Sequence, residues 1–296
     1  MRKSLITTAI LTALVAPSFA FAEDAAPAPD LTVAYNVGIY SQYIFRGLTQ
    51  TNRSPALQGG VDLTHSSGFY LGAWGSNISW LTDENQINTD SVSSYKSGGS
   101  VEIDLYGGYR YTFANIGSGL GIDVGLLQYY YPGEVTKGKS AAGNNVYGMH
   151  SADTTEVYGA LSYGWAQAKI SGIVNSTAWG SASAKTHGDQ QGTYYAELNL
   201  TPPISDMLGI KDGLASGISG IAHIARQEFK DEIIGVNSRA TNASYTDYKI
   251  GLQKAFSNGV NVGAYWTKAE TDANNWTIAG RNIGDDTGTA YIQKTF

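Results

Sequence analysis

The sequence predicts an all-β fold: an antiparallel transmembrane β-barrel of about twelve strands, with short periplasmic turns and long extracellular loops. Three observations predict it. Apolar and polar residues alternate with a period of two along many segments, and the connections between those segments are short and long in turn. The chain also begins like an exported protein and ends on an aromatic strand.

The export reading starts at Arg2 and Lys3, a short positive region followed by an apolar run over 5–15 that is too short to span a bilayer. Pro17, Ser18 and the small-x-small triplet Ala20-Phe21-Ala22 complete a secretory signal over 1–22, with cleavage expected after Ala22. Residues 23–30 (EDAAPAPD) read as a Pro/Ala linker, and the barrel is expected over 31–296. With no cysteine, the fold has to be held by burial and backbone pairing alone. Loss of Arg2 and Lys3 with the signal takes the formal net charge from −6 to −8, which argues against nucleic acid as a partner.

Composition narrows the class. No stretch after the signal reaches about 18 apolar residues, so helical membrane spans are excluded. Abundant Gly (36) and Tyr (20), with few Met (3) and Pro (7), favour strands and turns, a bias that globular sandwiches share.

The alternation is clearest over 101–111 (VEIDLYGGYRY), where odd positions are apolar, Gly or Tyr and even positions carry Glu102, Asp104 and Arg110. It repeats over 120–126 with Asp123, over 58–63 with Asp62, and over 156–163, 194–200, 248–252 and 260–266. In a membrane barrel the apolar face meets lipid and the polar face lines the lumen, whereas a soluble sandwich would turn the polar face outward.

Loop lengths decide between the two. Twelve strands are expected at 31–46, 56–64, 68–78, 100–112, 119–133, 152–164, 166–178, 190–200, 216–228, 244–255, 260–270 and 287–296. Tight links at 65–67, 113–118, around 165 and at 256–259 then alternate with longer ones at 47–55, 79–99, 134–151, 179–189, 229–243 and 271–286. One link, 201–215, breaks the pattern. There Pro202-Pro203 ends a strand, and 204–210 can form one or two helical turns, either a longer turn on the rim or a flap at the periplasmic mouth.

The final strand, 290–296, ends in Phe296, which resembles the assembly signal read by the barrel-assembly machinery. Lys294 departs from a purely apolar outer face and is placed to snorkel. Tyr109, Tyr111, Tyr129-Tyr130-Tyr131, Trp165, Tyr194-Tyr195 and Trp266 are expected in the girdles at headgroup level, next to outer-membrane lipid and lipopolysaccharide.

One region carries a resemblance. The residues Ser41-Gln42-Tyr43-Ile44-Phe45-Arg46-Gly47, Gln50-Thr51, 55–60 (including Gln58, Gly59 and Gly60) and 68–77 (with Gly68, Phe69, Trp74 and Asn77) resemble the TorF-like porins, also grouped as the Gcw_chp family. The match is specific over about 31–80 and generic beyond. The resemblance implies an outer-membrane, porin-type role. It brings no catalytic residues, and the long stretches 134–151 and 179–189 depart from shorter relatives.

The candidate site is therefore a lumen. Parity places Asn36, Gln42, Arg46, Asp62, Glu102, Asp104, Arg110, Asp123, Glu156, Lys169, Glu197 and Lys249 inward, as the lining of a narrow channel for small polar solutes or ions. Setting Tyr111 opposite Leu120 would bring Arg110 diagonal to Asp123, close enough to pair. Arg46 either selects solutes at the mouth or braces the first loop. Glu102 and Asp104 are spaced like paired carboxylates, but a glycosidase would need them beside a sugar cleft. His65, His150, His187 and His223 lack metal spacing, and neither a metal nor a cofactor is expected. The loop acids Asp83-Glu84 and Asp285-Asp286 read as solvated charges, with divalent cations beside lipopolysaccharide as the sharper alternative. Two rivals to the channel are an outer-membrane lipase-type enzyme, for which no motif is present, and an adhesive or structural barrel with a blocked lumen.

Overall fold

A computed structural model describes residues 30–85, 95–117, 119–135, 151–181, 185, 189–234 and 240–296. The expected signal, nearly all of the linker, His150 and His187 lie outside the described residues, as does most of 134–151.

Twelve strands form one closed antiparallel barrel. They are β1 (Leu31–Tyr40), β2 (Ala56–His65), β3 (Phe69–Asn77), β4 (Val101–Phe113), β5 (Leu120–Tyr130), β6 (Thr154–Tyr163), β7 (Ala166–Ile173), β8 (Tyr194–Leu200), β9 (Ile218–Glu228), β10 (Tyr245–Ala255), β11 (Val260–Ala269) and β12 (Thr287–Thr295). Each pairs with its neighbours in sequence, and β12 returns to β1 from Asn36↔Thr295 to Tyr40↔Tyr291. Closure satisfies every ladder without leaving an open edge, which a wall in lipid requires.

The period-two pattern becomes two faces. Leu31, Val33, Val37 and Ile39 of β1, Leu71 of β3, Leu126 of β5 and Ile250 and Leu252 of β10 are large apolar side chains left exposed on the outside. Among the described residues, charged side chains on the outer faces of the barrel strands occur only near strand ends, at Arg226, Glu228, Lys254, Lys268 and Lys294. A Lys or Arg at mid-height would cost roughly 2–4 kcal/mol in a bilayer. This is the outer surface of a membrane-spanning barrel.

One rim carries Leu31, Thr295 and the tight turns, and the other carries the long loops. The exceptional link on the tight rim holds a short helix, Ile204–Met207, directly after Pro203. Ser205 pins it, donating from Oγ to the Ala215 carbonyl at 2.5 Å and accepting from the Ile218 amide at 2.8 Å. Lys294 packs over the Phe296 ring and donates to the Asn258 carbonyl at the same rim.

Three expectations are corrected. The first strand ends at Tyr40, not at 46, because Ser41 bonds β12 through its amide to the Ala290 carbonyl (2.8 Å) and the chain then turns inward. The β4–β5 register is two residues away from the expected one. Phe113 faces Leu120, so Arg110 lies directly opposite Asp123. Finally, Tyr129, Tyr131 and Tyr195 are buried inside the barrel, while Tyr111, Tyr130, Trp165, Tyr194 and Trp266 are exposed. Alternation decides the difference: Tyr129 and Tyr131 share the parity of Asp123, and Tyr195 shares that of Glu197.

Candidate functional site

The link between β1 and β2 folds into the barrel. Ile44–Phe45 pairs antiparallel with Leu48–Thr49, a minimal hairpin whose two central residues are Arg46 (φ 47) and Gly47 (φ 77). Positive φ at both positions is the type I′ geometry that two-residue hairpins prefer. Gly47 is required twice over. Its backbone is left-handed, and a Cβ there would lie 2.5 Å from the Asp247 Cβ.

Arg46 is the tip of this hairpin and is buried. Its Nη2 donates to both Glu156 oxygens, at 2.9 and 2.8 Å, and Nη1 donates to Gln227 Oε1 at 2.9 Å. The guanidinium also lies over the rings of Tyr195 (4.3 Å), Phe45 (4.9 Å) and Trp179 (5.1 Å). Left-handed backbone at a non-glycine residue costs roughly 1–2 kcal/mol, which these charge-assisted bonds offset. Beside it, the Tyr43 hydroxyl donates to Glu102 at 2.8 Å, and the ring packs edge-on to Trp74. Burial, with Glu102 and Asp104 close by, holds the Tyr43 phenol well above its ordinary range and keeps it a donor.

Asp104 differs from its neighbours. It is fully buried, yet among the described residues neither of its carboxylate oxygens has a hydrogen-bond partner.

Below the hairpin tip lies a cavity of about 40 Å³, lined by Arg46, Lys169, Glu197, His223, Asp247 and Lys249 among others. The Tyr195 hydroxyl donates to Asp247 at 2.9 Å, and His223 sits between Asp247 (Nε2, 3.0 Å) and Asn199 (Nδ1, 2.6 Å). Asn199 donates to Glu197 at 2.8 Å, and Glu197 faces Lys169 at 4.0 Å. Lys169 lies over the Tyr158 ring and Lys249 over Tyr265.

Nearer the tight-turn rim, Arg110 donates to Asp123 from Nε (3.0 Å) and Nη2 (2.9 Å) and stacks over Tyr70. The Tyr70 hydroxyl bonds both Asp123, at 2.6 Å, and the Tyr158 hydroxyl. Asp62 accepts from Tyr106 at 2.6 Å. Among the described residues, no group of three His, Asp or Glu is arranged to hold a metal ion.

The remaining motif residues have structural work. Gln58 and Trp74 point inward, and Phe69 lies on the outside against Tyr109. Asn77 ties down the start of β2, accepting from the Leu57 amide and donating to the Pro55 carbonyl. Gly68 turns between β2 and β3 at φ +100, where a Cβ would lie 2.3 Å from the Arg110 carbonyl. Asn36 is buried on the inner face of β1, and Gln42 on the inward link bonds Thr287 at 2.8 Å. Asp247, Gln227 and Tyr195 were not expected in the site. Asp247 has the parity of Lys249, and Gln227 that of His223, which is the signal that could have found them.

The family model Gcw_chp, described as a bacterial protein of unknown function, matches residues 24–296. The chain belongs to the Gcw_chp family. The match takes in the inward hairpin together with the wall around it. No curated protein matches the chain. Among solved structures, the KdgM porin is 6% identical, with a TM-score of 0.42 over 89% of this chain and 98% of its own. Pseudomonas aeruginosa OpdQ is 11% identical, with a TM-score of 0.39 over 90% of this chain and 68% of its own. No residue of this chain takes a role from these likenesses.

Proposed function

We propose that the chain is a porin-type channel of a Gram-negative outer membrane that passes small polar solutes or ions. The observation that carries this is the pairing of an apolar outer belt with an inner wall of charges around a hairpin constriction. The lining is Arg46, Asp62, Glu102, Asp104, Arg110, Asp123, Glu156, Lys169, Glu197 and Lys249, with Arg46 at the tip of the inward hairpin. The long-loop rim faces outward, and the tight rim with Leu31 and Thr295 faces the periplasm. In this reading residues 1–22 are the signal removed on export, 23–30 are a linker, and 31–296 are the barrel. Outer-membrane lipid and lipopolysaccharide surround the belt, and the barrel-assembly machinery reads the last strand with Phe296. Single-channel recording in planar bilayers tests it: discrete conductance steps are expected.

The burial of the hairpin among aromatic side chains favours a second reading, a structural or adhesive barrel with a blocked lumen. Absence of steps both in the native protein and after Arg46→Ala would replace the channel with that reading.

A further inference from the structure

The exceptional link on the tight rim, 201–217, is a lobe fastened to the outside of the barrel. On β9 the odd positions face the lumen with His223, so Gly220 faces outward with Ala222 and Ile224. Pro202 and Ile204 occupy the space above that glycine. A Cβ at Gly220 would lie 3.0 Å from Pro202 Cγ and 3.6 Å from Ile204 Cδ1. At the other end of the lobe, Lys254 on the outer face of β10 donates to the Leu214 carbonyl at 2.8 Å. Both ends of the lobe therefore hold to the outer wall and not to the mouth.

Between these attachments stand apolar side chains turned away from the barrel. Met207 is 60% exposed, Leu208 69% and Leu214 94%. Large apolar side chains grouped on one short link mark a contact surface.

The surroundings name what covers them. The patch continues the apolar belt: next to Gly220 an outer groove of about 270 Å³ is lined by Leu198, Leu200, Ala222, Ile224 and Ile250 among others. Exposed rings flank it on the same rim. The Trp165 carbonyl accepts from the Thr201 amide at 2.8 Å, and Phe256 lies under Lys254. Rings placed this way mark the headgroup level of a bilayer. The charges of the lobe and its anchor cancel, Asp206 and Asp212 against Lys211 and Lys254, so apolar contact has to hold it. A stable protein interface takes roughly 20–30 residues a side, far more than this patch offers. Lipid needs no matching surface.

We infer that the lobe is a membrane anchor whose Met207, Leu208 and Leu214 dip into the phospholipid leaflet around the tight rim, as an interfacial helix does. The inference goes beyond the channel proposal and rests on it only for naming that leaflet as the periplasmic one. Held there, the lobe fixes the height of the barrel in the bilayer and leaves the mouth uncovered.

Spin labelling tests it, because the chain has no cysteine to compete for the label. Single variants Leu208→Cys and Leu214→Cys of the full chain carry the nitroxide in phosphatidylcholine vesicles. Leu252→Cys in the belt and Asp285→Cys in a long loop are the references. Collisions with dissolved oxygen are compared with collisions with a water-soluble nickel chelate. Both lobe labels should favour oxygen, at a depth of roughly 5–10 Å, shallower than Leu252, while Asp285 favours nickel. Adding phosphatidylglycerol should leave the depth unchanged. The inference is overturned if both lobe labels favour nickel as Asp285 does, or if insertion appears only with phosphatidylglycerol. Spin–spin broadening that vanishes on dilution with unlabelled chain would overturn it in favour of a second copy. Absence of potassium chloride conductance alongside oxygen-favouring lobe labels would sink the channel proposal and leave the anchor standing.

Discussion

Arg46 of the inward hairpin and Glu156 of β6 are joined by a single guanidinium nitrogen, Nη2, that lies within 2.9 Å of both carboxylate oxygens. Replacing one partner leaves the other charged and enclosed. Arg46→Ala and Glu156→Gln should therefore each lower unfolding stability by roughly 3–5 kcal/mol. Arg46→Ala should also enlarge the single-channel step. Arg46→Leu with Glu156→Leu should recover much of the loss, and urea unfolding of the lipid-refolded protein closes that double-mutant cycle.

Gly47 and Gly280 share a left-handed backbone but not a neighbourhood. At Gly47 (φ +77) a Cβ collides with Asp247, and at Gly280 (φ +75) nothing lies within 4 Å. Gly280→Ala should cost about 1 kcal/mol, the backbone penalty alone, while Gly47→Ala should cost clearly more. Thermal unfolding of the two variants side by side checks the order, and equal losses would refute the tight fit of the tip.

Asp104 invites a substitution that stabilises. Its carboxyl group is enclosed beside Glu102 and Glu156 and has no hydrogen-bond partner among the described residues, so Asp104→Asn removes a crowded, buried ionisable group and should raise stability by roughly 1–3 kcal/mol. Asp123→Asn, which disturbs the part-exposed Arg110 pair, should instead lower it by about 1 kcal/mol. Chemical denaturation of both variants gives the signs directly.

Phe296 adds little to the folded barrel itself. Its ring is exposed, and its amide donates to the Tyr35 carbonyl at 2.9 Å. Deleting it should cost about 1 kcal/mol in purified, lipid-refolded protein. In cells the same deletion should lower the amount of assembled barrel much more. Equal small effects in both settings would remove Phe296 as an assembly signal.

Period-two alternation made the wall legible. From β2 onward most observed strands begin and end close to the expected segments, though β7 ends at Ile173 and not at 178 and β8 begins at Tyr194 and not at 190. The parity of Arg110 and Asp123 placed both inside before any register was known. The register itself was not legible, because a turn between Phe113 and Leu120 can close in more than one way. The hairpin was hidden for a different reason. Two-residue turns announce themselves by Asn-Gly or Asp-Gly, and here an arginine occupies the first left-handed position. Its stability comes from Glu156 and Gln227, more than a hundred residues away, which no local pattern records. The buried tyrosines were misplaced because a ring at a membrane girdle and a ring inside the barrel have the same composition, and only parity separates them.

The rings over the interior cations carry one more consequence. Arg46, Arg110, Lys169 and Lys249 each lie against at least one aromatic face. The carboxylates of Asp62, Asp123, Glu156, Glu197 and Asp247 outnumber them. An anion entering such an interior meets positive heads already screened by π-electron density, while a cation meets both the surplus acids and the negative ring faces. If the chain conducts as proposed, such an interior should favour cations over anions, and under a potassium chloride gradient its reversal potential should take the sign of potassium over chloride.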